Sequence, residues 1–101
     1  MDFGSALEEA KNGHPIRRRG WNGKGMWVAI RSGYEILIPS QPGHFSSFVI
    51  ARLRLDTKWL SEGSVPVKPC FMMLTADTEI VLGWAPSQTD ILAEDWEIAD
   101  A

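Results

Sequence analysis

Gly20-Trp21-Asn22-Gly23-Lys24-Gly25, set between Ile16-Arg17-Arg18-Arg19 and Met26-Trp27-Val28-Ala29-Ile30, decides the fold class. Asn-Gly between apolar segments is a strong hairpin signal, because the tight hairpin turn needs positive φ at both central positions and these two residues tolerate it. A turn at Asn22-Gly23 predicts antiparallel strands over 16–19 and 26–30, with Trp21 facing Lys24 and Arg19 opposite Met26. Along such a strand successive side chains alternate, which sends Arg18 and Arg19 to opposite faces.

Upstream of this hairpin, Phe3, Ala6, Leu7 and Ala10 recur at helical spacing and predict a short amphipathic helix over 3–12. Asp2 stands at the N-cap position and Gly13 at the stop. Downstream, Ser32-Gly33 offers a second turn leading into Tyr34–Ile38. A two-residue turn there would put Glu35 opposite Ile30 on the apolar side, a conflict of register. Residues 39–47 read as loop on account of Pro39, Pro42 and Gly43. The next stretch is ambiguous. Ala51-Arg52-Leu53-Arg54-Leu55 alternates as a strand does, whereas Phe48, Ala51, Leu55 and Trp59 fit a helical face; the alternation is taken as the guide and predicts a strand. Residues 61–69, with Pro66 and Pro69, read as a second loop. Phe71–Thr75 and Glu79–Trp84 are expected to pair antiparallel around Ala76-Asp77-Thr78. Ser87 and Asp90 have capping-box spacing, which opens a short helix through Ile91 and Leu92 before Glu97-Ile98-Ala99. The expected architecture is α+β and a single domain over 1–101: a twisted antiparallel sheet of about four to six strands with an N-terminal helix and a short C-terminal helix.

Composition narrows the function classes. The chain has 101 residues, 45% hydrophobic and 23% charged, the usage of one soluble globular domain. A chain of this size buries about two-thirds of its unfolded surface, so association with further copies is a natural source of extra burial. Ten Lys and Arg against thirteen Asp and Glu argue against a nucleic-acid polymer as partner. Charge is segregated: residues 1–60 carry net +4 and residues 61–101 carry net -7, which reads either as solvated faces or as head-to-tail contact between subunits. The lone Cys70 can close no disulfide within the chain and fits a reducing cytoplasm. No stretch nears the roughly 18 apolar residues of a membrane span, so no membrane partner is expected.

The residues that carry chemistry fall into two segments. Gly20–Gly25 fails as a Walker phosphate loop, because only Trp21 and Asn22 separate the first glycine from Gly23-Lys24 and Gly25 follows where Ser or Thr is needed. His14 and His44 lie beside Pro or Gly with no second ligand at metal spacing, so no metal and no cofactor is expected. Asp90 and Glu94 share a helical face but read as solvated, and Ser87 lacks a nucleophile elbow. What remains is Trp21, Asn22, Lys24 and Met26 with Arg18 nearby, and Trp84, Ser87, Gln88, Thr89 and Asp90. The first set offers a π face, an amide and a cation at a turn where packing demand is low. The second offers an indole, hydroxyl and amide groups and the N–H groups of a helix start. Together they suit a heteroaromatic ligand carrying phosphate. The alternative stays open that Asn22-Gly23 makes a turn and the tryptophans pack.

The same segments carry a family resemblance. Phe3 with Ala6-Leu7 and Lys11-Asn12-Gly13, Arg17 to Trp27 around Gly-Trp-Asn-Gly-Lys-Gly-Met, and Trp84 to Trp96 with Ser-Gln-x-Asp and Ala-Glu-Asp-Trp resemble the type-two Thoeris anti-defence proteins, a small phage family. The resemblance implies a non-enzymatic sponge acting in the cytoplasm of the infected bacterial host: a homo-oligomer, in the family a tetramer, that sequesters the cyclic ADP-ribose-type signal of Thoeris immunity. It also implies that cyclic dinucleotides are held by some members at separate sites. A nanomolar site corresponds to about -12 kcal/mol, whereas one stacked base supplies about 1 to 3 kcal/mol. Charge-assisted hydrogen bonds and water exclusion must supply the difference, which favours a pocket closed between subunits. Two rival readings are a phosphodiesterase that cleaves the signal and an adaptor that binds a host defence protein through exposed tryptophans.

Overall fold

The computed structural model describes residues 1–37, 46–56 and 64–99. Within them the chain forms two compact units, Met1–Ser32 with Cys70–Ala101, and Gly33–Pro69. The expectations for Ile38, for the loop over 39–45 with His44, for Trp59 and for 61–63 lie outside the described residues.

The first unit opens with helix α1 (Phe3–Lys11), whose N-cap Asp2 accepts a 2.8 Å hydrogen bond from Ser5 N. Its sheet contains β1 (Ile16–Arg18), β2 (Trp27–Arg31), β5 (Cys70–Leu74), β6 (Ile80–Leu82) and β7 (Trp96–Ile98), in the order β6-β5-β2-β1-β7; β3 and β4 belong to the other unit. All four pairings are antiparallel. Ala6 and Ala10 of α1 lie against Ile16, Val28, Met73 and Trp96 to make the core. Helix α3 (Gln88–Leu92) follows β6, as the capping-box spacing requires. The class is α+β, as the sequence predicts.

The first hairpin forms in a different register from the one expected. A turn at Asn22-Gly23 would set Ile16 opposite Ala29, but Ile16 faces Val28. Both Ile16 and Val28 are fully buried, and slipping one strand by a residue would turn one of them out of the core. Core pairing outweighs turn preference. Positive φ falls on Gly25 (φ 80), and the strands are joined by the longer connection 19–26. The second hairpin, β5 to β6, forms as expected with Leu74 opposite Ile80 and Thr75 N donating to Glu79 O at 2.8 Å.

The second unit corrects three expectations. Ser32-Gly33 does not fold β3 (Tyr34–Leu37) back onto β2; β3 pairs instead with β4 (Ser64–Val67), within the stretch expected as loop. The register conflict is thereby removed, since Glu35 stands opposite Pro66. The strand expected over Phe48–Leu55 is helix α2 (Ser47–Asp56). Local bonds explain it: Ser46 Oγ accepts from Val49 N, Ile50 N donates to Ser46 O at 3.0 Å, and Arg52 Nε donates to Asp56 at 2.8 Å one turn on. The buried side is Ile50, with Leu53 half-buried, so Arg-Leu-Arg-Leu alternation was a coincidence of helical spacing.

Candidate functional site

The two motif segments meet at Arg18. Its Nη1 donates to Asp90 Oδ1 at 2.9 Å and its Nε to Asp95 Oδ1 at 2.8 Å. Asp90 also accepts from Trp21 Nε1 at 3.2 Å and from Ser87 N at 3.1 Å, while its own N–H donates to Ser87 Oγ at 3.0 Å. Asp95 holds the start of the glycine loop, accepting from Gly20 N at 2.8 Å; Arg19 N donates to the Asp95 carbonyl at 3.1 Å. Burial pushes the Asp90 carboxyl up, but Arg18 and the N–H groups of Ser87 and Trp21 bring it below the usual carboxylate range. Hydrogen bonding from Arg18 does the same for Asp95. The two carboxylates in turn raise the Arg18 guanidinium.

Trp21 is half-buried and packs against other rings, so packing demand at this turn is higher than the sequence suggests. Its ring meets Trp96 at 5.4 Å and Trp84 at 6.1 Å, both edge to face, and Trp84 meets Phe71 at 5.8 Å in the same way. Trp96, 1% exposed, donates its indole N–H to the Asp90 carbonyl at 2.8 Å. Asp90 thus takes the capping role and pins three chain segments.

Beside this clamp lies a cleft of about 280 Å³ lined by Arg17, Arg18, Arg19, Trp21, Gly23, Lys24, Gly25, Met26 and Glu97. Four of the sequence-derived candidates, Arg18, Trp21, Lys24 and Met26, gather here. Asn22, Trp84, Ser87, Gln88, Thr89 and Asp90 do not line it; Asn22, Gln88 and Thr89 are exposed to solvent. The expected separation of Arg18 from Arg19 fails because β1 ends at Arg18, and strand alternation no longer governs Arg19. Arg17 and Glu97 are not among the sequence-derived candidates, and Arg19, a nearby cation that alternation would keep out of any pocket holding Arg18, joins Arg18 in the lining. The run Arg17-Arg18-Arg19 beside a glycine-rich loop is the signal that would have found the arginines.

The cations of the cleft differ in what holds them. Arg17 pairs with Glu97 at 3.2 Å, and Arg18 with Asp90 and Asp95. Arg19 and Lys24 are exposed, and no ion pair joins either to a carboxylate among the described residues. His14 lies 3.9 Å from Glu9, away from this lining. Among the described residues no group of three His, Cys, Asp or Glu side chains converges to hold a metal ion, and no helix is long and apolar enough to cross a membrane.

A cationic cleft with Trp21 in its wall thus lies on the antiparallel sheet of a small α+β unit, beside the ion-pair cluster that joins the two motif segments. Residues 1–99 match the Thoeris anti-defense 2-like domain family, and the chain belongs to that family. It is 36% identical over 99 residues to Thoeris anti-defense 2 of Bacillus phage SP01, covering 97% of this chain and 93% of that protein. Its role is Thoeris anti-defence.

Proposed function

We propose that the chain is a sponge: it binds and sequesters a cyclic ADP-ribose-type immune signal without cleaving it, in the cytoplasm of the infected bacterium and as a homo-oligomer, a tetramer. The observation that carries this reading is the pair of cations Arg19 and Lys24, joined to no carboxylate among the described residues, at a cleft with Trp21 in its wall. A diphosphate-bearing nucleotide has two things to place, a base and an anionic linkage. Trp21 supplies a π surface for the first, and Arg19 and Lys24 supply charge-assisted donors for the second. Glu97, the only carboxylate of the lining among the described residues, is suited to accept from a ribose hydroxyl. At about 280 Å³ the cleft lies just below the usual range of small-molecule sites, which supports closure by a second subunit. The possibility of a second nucleotide class, cyclic dinucleotides, belongs to the same reading.

The test is calorimetry with a purified cyclic ADP-ribose-type signal, followed by heating the complex and mass spectrometry of what is released. Tight binding with intact ligand recovered supports sequestration, and the double variant Arg19→Ala/Lys24→Ala should weaken it by about two orders of magnitude, at about 1.4 kcal/mol per tenfold. Recovery of a linearised product would make the chain a phosphodiesterase. Absence of binding, together with capture of a host protein, would make it an adaptor.

A further inference from the structure

The five-stranded sheet has two edges, and they are finished differently. At β7 the outer edge is taken by Met1, whose N donates to Trp96 O at 2.8 Å and whose O accepts from Trp96 N at 3.1 Å. At the opposite edge, β6 has no strand beyond it among the described residues. Its residues Ile80, Val81 and Leu82 are 50%, 46% and 58% exposed. Natural edges are usually blunted by charge, proline or a bulge, and Ile80-Val81-Leu82 contains neither charge nor proline.

The bonding to β5 identifies the groups left over. Thr75 N donates to Glu79 O and Gly83 N to Phe71 O, both at 2.8 Å, and Met73 faces Val81 between them. Alternation then directs the backbone groups of Glu79, Val81 and Gly83 toward β5, and those of Ile80 and Leu82 outward. Positive φ at Thr78 (φ 66) and Gly83 (φ 80) bends the chain away at both ends, so the edge accepts only a strand as short as β6 itself.

We propose that this edge is a self-association surface, on which β6 pairs antiparallel with β6 of a second copy about a twofold axis at Val81. In that register Ile80 faces Leu82 of the second copy and Leu82 faces its Ile80, and each such pair exchanges both backbone hydrogen bonds. Glu79 falls opposite Gly83 of the second copy and Asp77 opposite its Ala85, so no like charges meet. An isologous contact of this kind closes on itself and adds no further open edge. The proposal rests on the homo-oligomer reading above and names the surface; it does not depend on what the cleft binds.

The experiment is light scattering, without ligand, on the wild-type chain and on Val81→Lys and Val81→Glu, with far-UV circular dichroism and melting to establish folding. The wild type should run as an even multiple of 11.3 kDa. Each variant should run at half the wild-type mass with its fold intact, because the twofold places residue 81 against its own copy. An equimolar mixture of the two should recover the wild-type mass, since the introduced ammonium and carboxylate then face each other. Ile80→Pro, which removes an outward N–H and spares the β5 ladder, should also halve the mass. A wild-type monomer overturns the oligomer reading and this surface together. A wild-type oligomer whose mass survives Val81→Lys, or folded single variants that stay at half mass when mixed, overturns this surface alone.

Discussion

Replacing Arg18 by methionine keeps the length of the aliphatic stem and removes the guanidinium that joins Asp90 to Asp95. The side chains of Arg18 and Asp90 are only 16% and 13% exposed, so solvent screens their 2.9 Å contact weakly. A hydrogen bond to a charged group contributes about 1.5–3 kcal/mol, and removing one partner of a fully buried pair costs about 3–5 kcal/mol. Residual exposure places the loss for the Asp90 contact at about 2–3 kcal/mol, or a melting temperature lower by about 10–15 °C at this chain length. Acid titration gives an independent reading. Asp90 and Asp95 are both held below the usual carboxylate range, so their contribution is present above the unfolded value near 3.9 and is lost as pH falls through the folded values. The wild type should therefore destabilise on acidification below about pH 5, and Arg18→Met should show a shallower decline as well as a lower starting point. Thermal melts from pH 7 to pH 3, with Asp90→Asn and the double variant to complete a cycle, measure both. A melting temperature and acid slope equal to wild type in Arg18→Met would refute the clamp.

Other substitutions separate the clamp from the cleft. Ser87→Ala should lower stability by about 1 kcal/mol in urea melts, because it removes the Oγ that accepts from Asp90 N. Trp21→Phe keeps an aromatic ring against Trp84 and Trp96 but loses the N–H to Asp90, and should cost about 1 kcal/mol in the same assay. Gly23→Val should lower the melting temperature and deform the cleft, since a Cβ there would meet Met26 Sδ and lie 2.8 Å from Ala76 Cβ. Gln88→Ala, at an exposed residue outside the cleft lining, should leave both melting temperature and calorimetric affinity unchanged; a tenfold loss of affinity would move the ligand onto α3.

Where local rules and core demand agree, the fold is legible in the sequence. Helix α1, the β5–β6 hairpin and the capped α3 each combine apolar spacing with a suitable cap or turn residue, and each forms where these point. Asn22-Gly23 carries a turn preference without a core residue behind it, and the burial of Ile16 against Val28 overrules it by one register step. Residues 48–55 mislead for a related reason: their alternation needs a neighbouring strand, while Ser46 and the Arg52–Asp56 pair supply a helix locally. The site was half legible. Both segments were identifiable from residue type, but that Asp90 would spend its carboxylate on Arg18 and Trp21, chain positions some seventy residues away, depends on tertiary contact alone.

Arg31 and Cys70 are cross-strand neighbours at the end of the β2–β5 ladder. The sheet of the first unit is therefore already stitched shut at the point where the chain departs into Gly33–Pro69 and returns. To that sheet the intervening segment is a parenthesis. Chain closure grows only with the logarithm of loop length, so even a structureless parenthesis of that length would cost about 2–3 kcal/mol more than a two-residue turn between the same strands. Extra chain can thus be lengthened, shortened or exchanged there without re-registering a single pair of the sheet, while an insertion of one residue between Arg18 and Trp21 would unhook the clamp. Freedom to vary and intolerance of change sit on either side of strand β2.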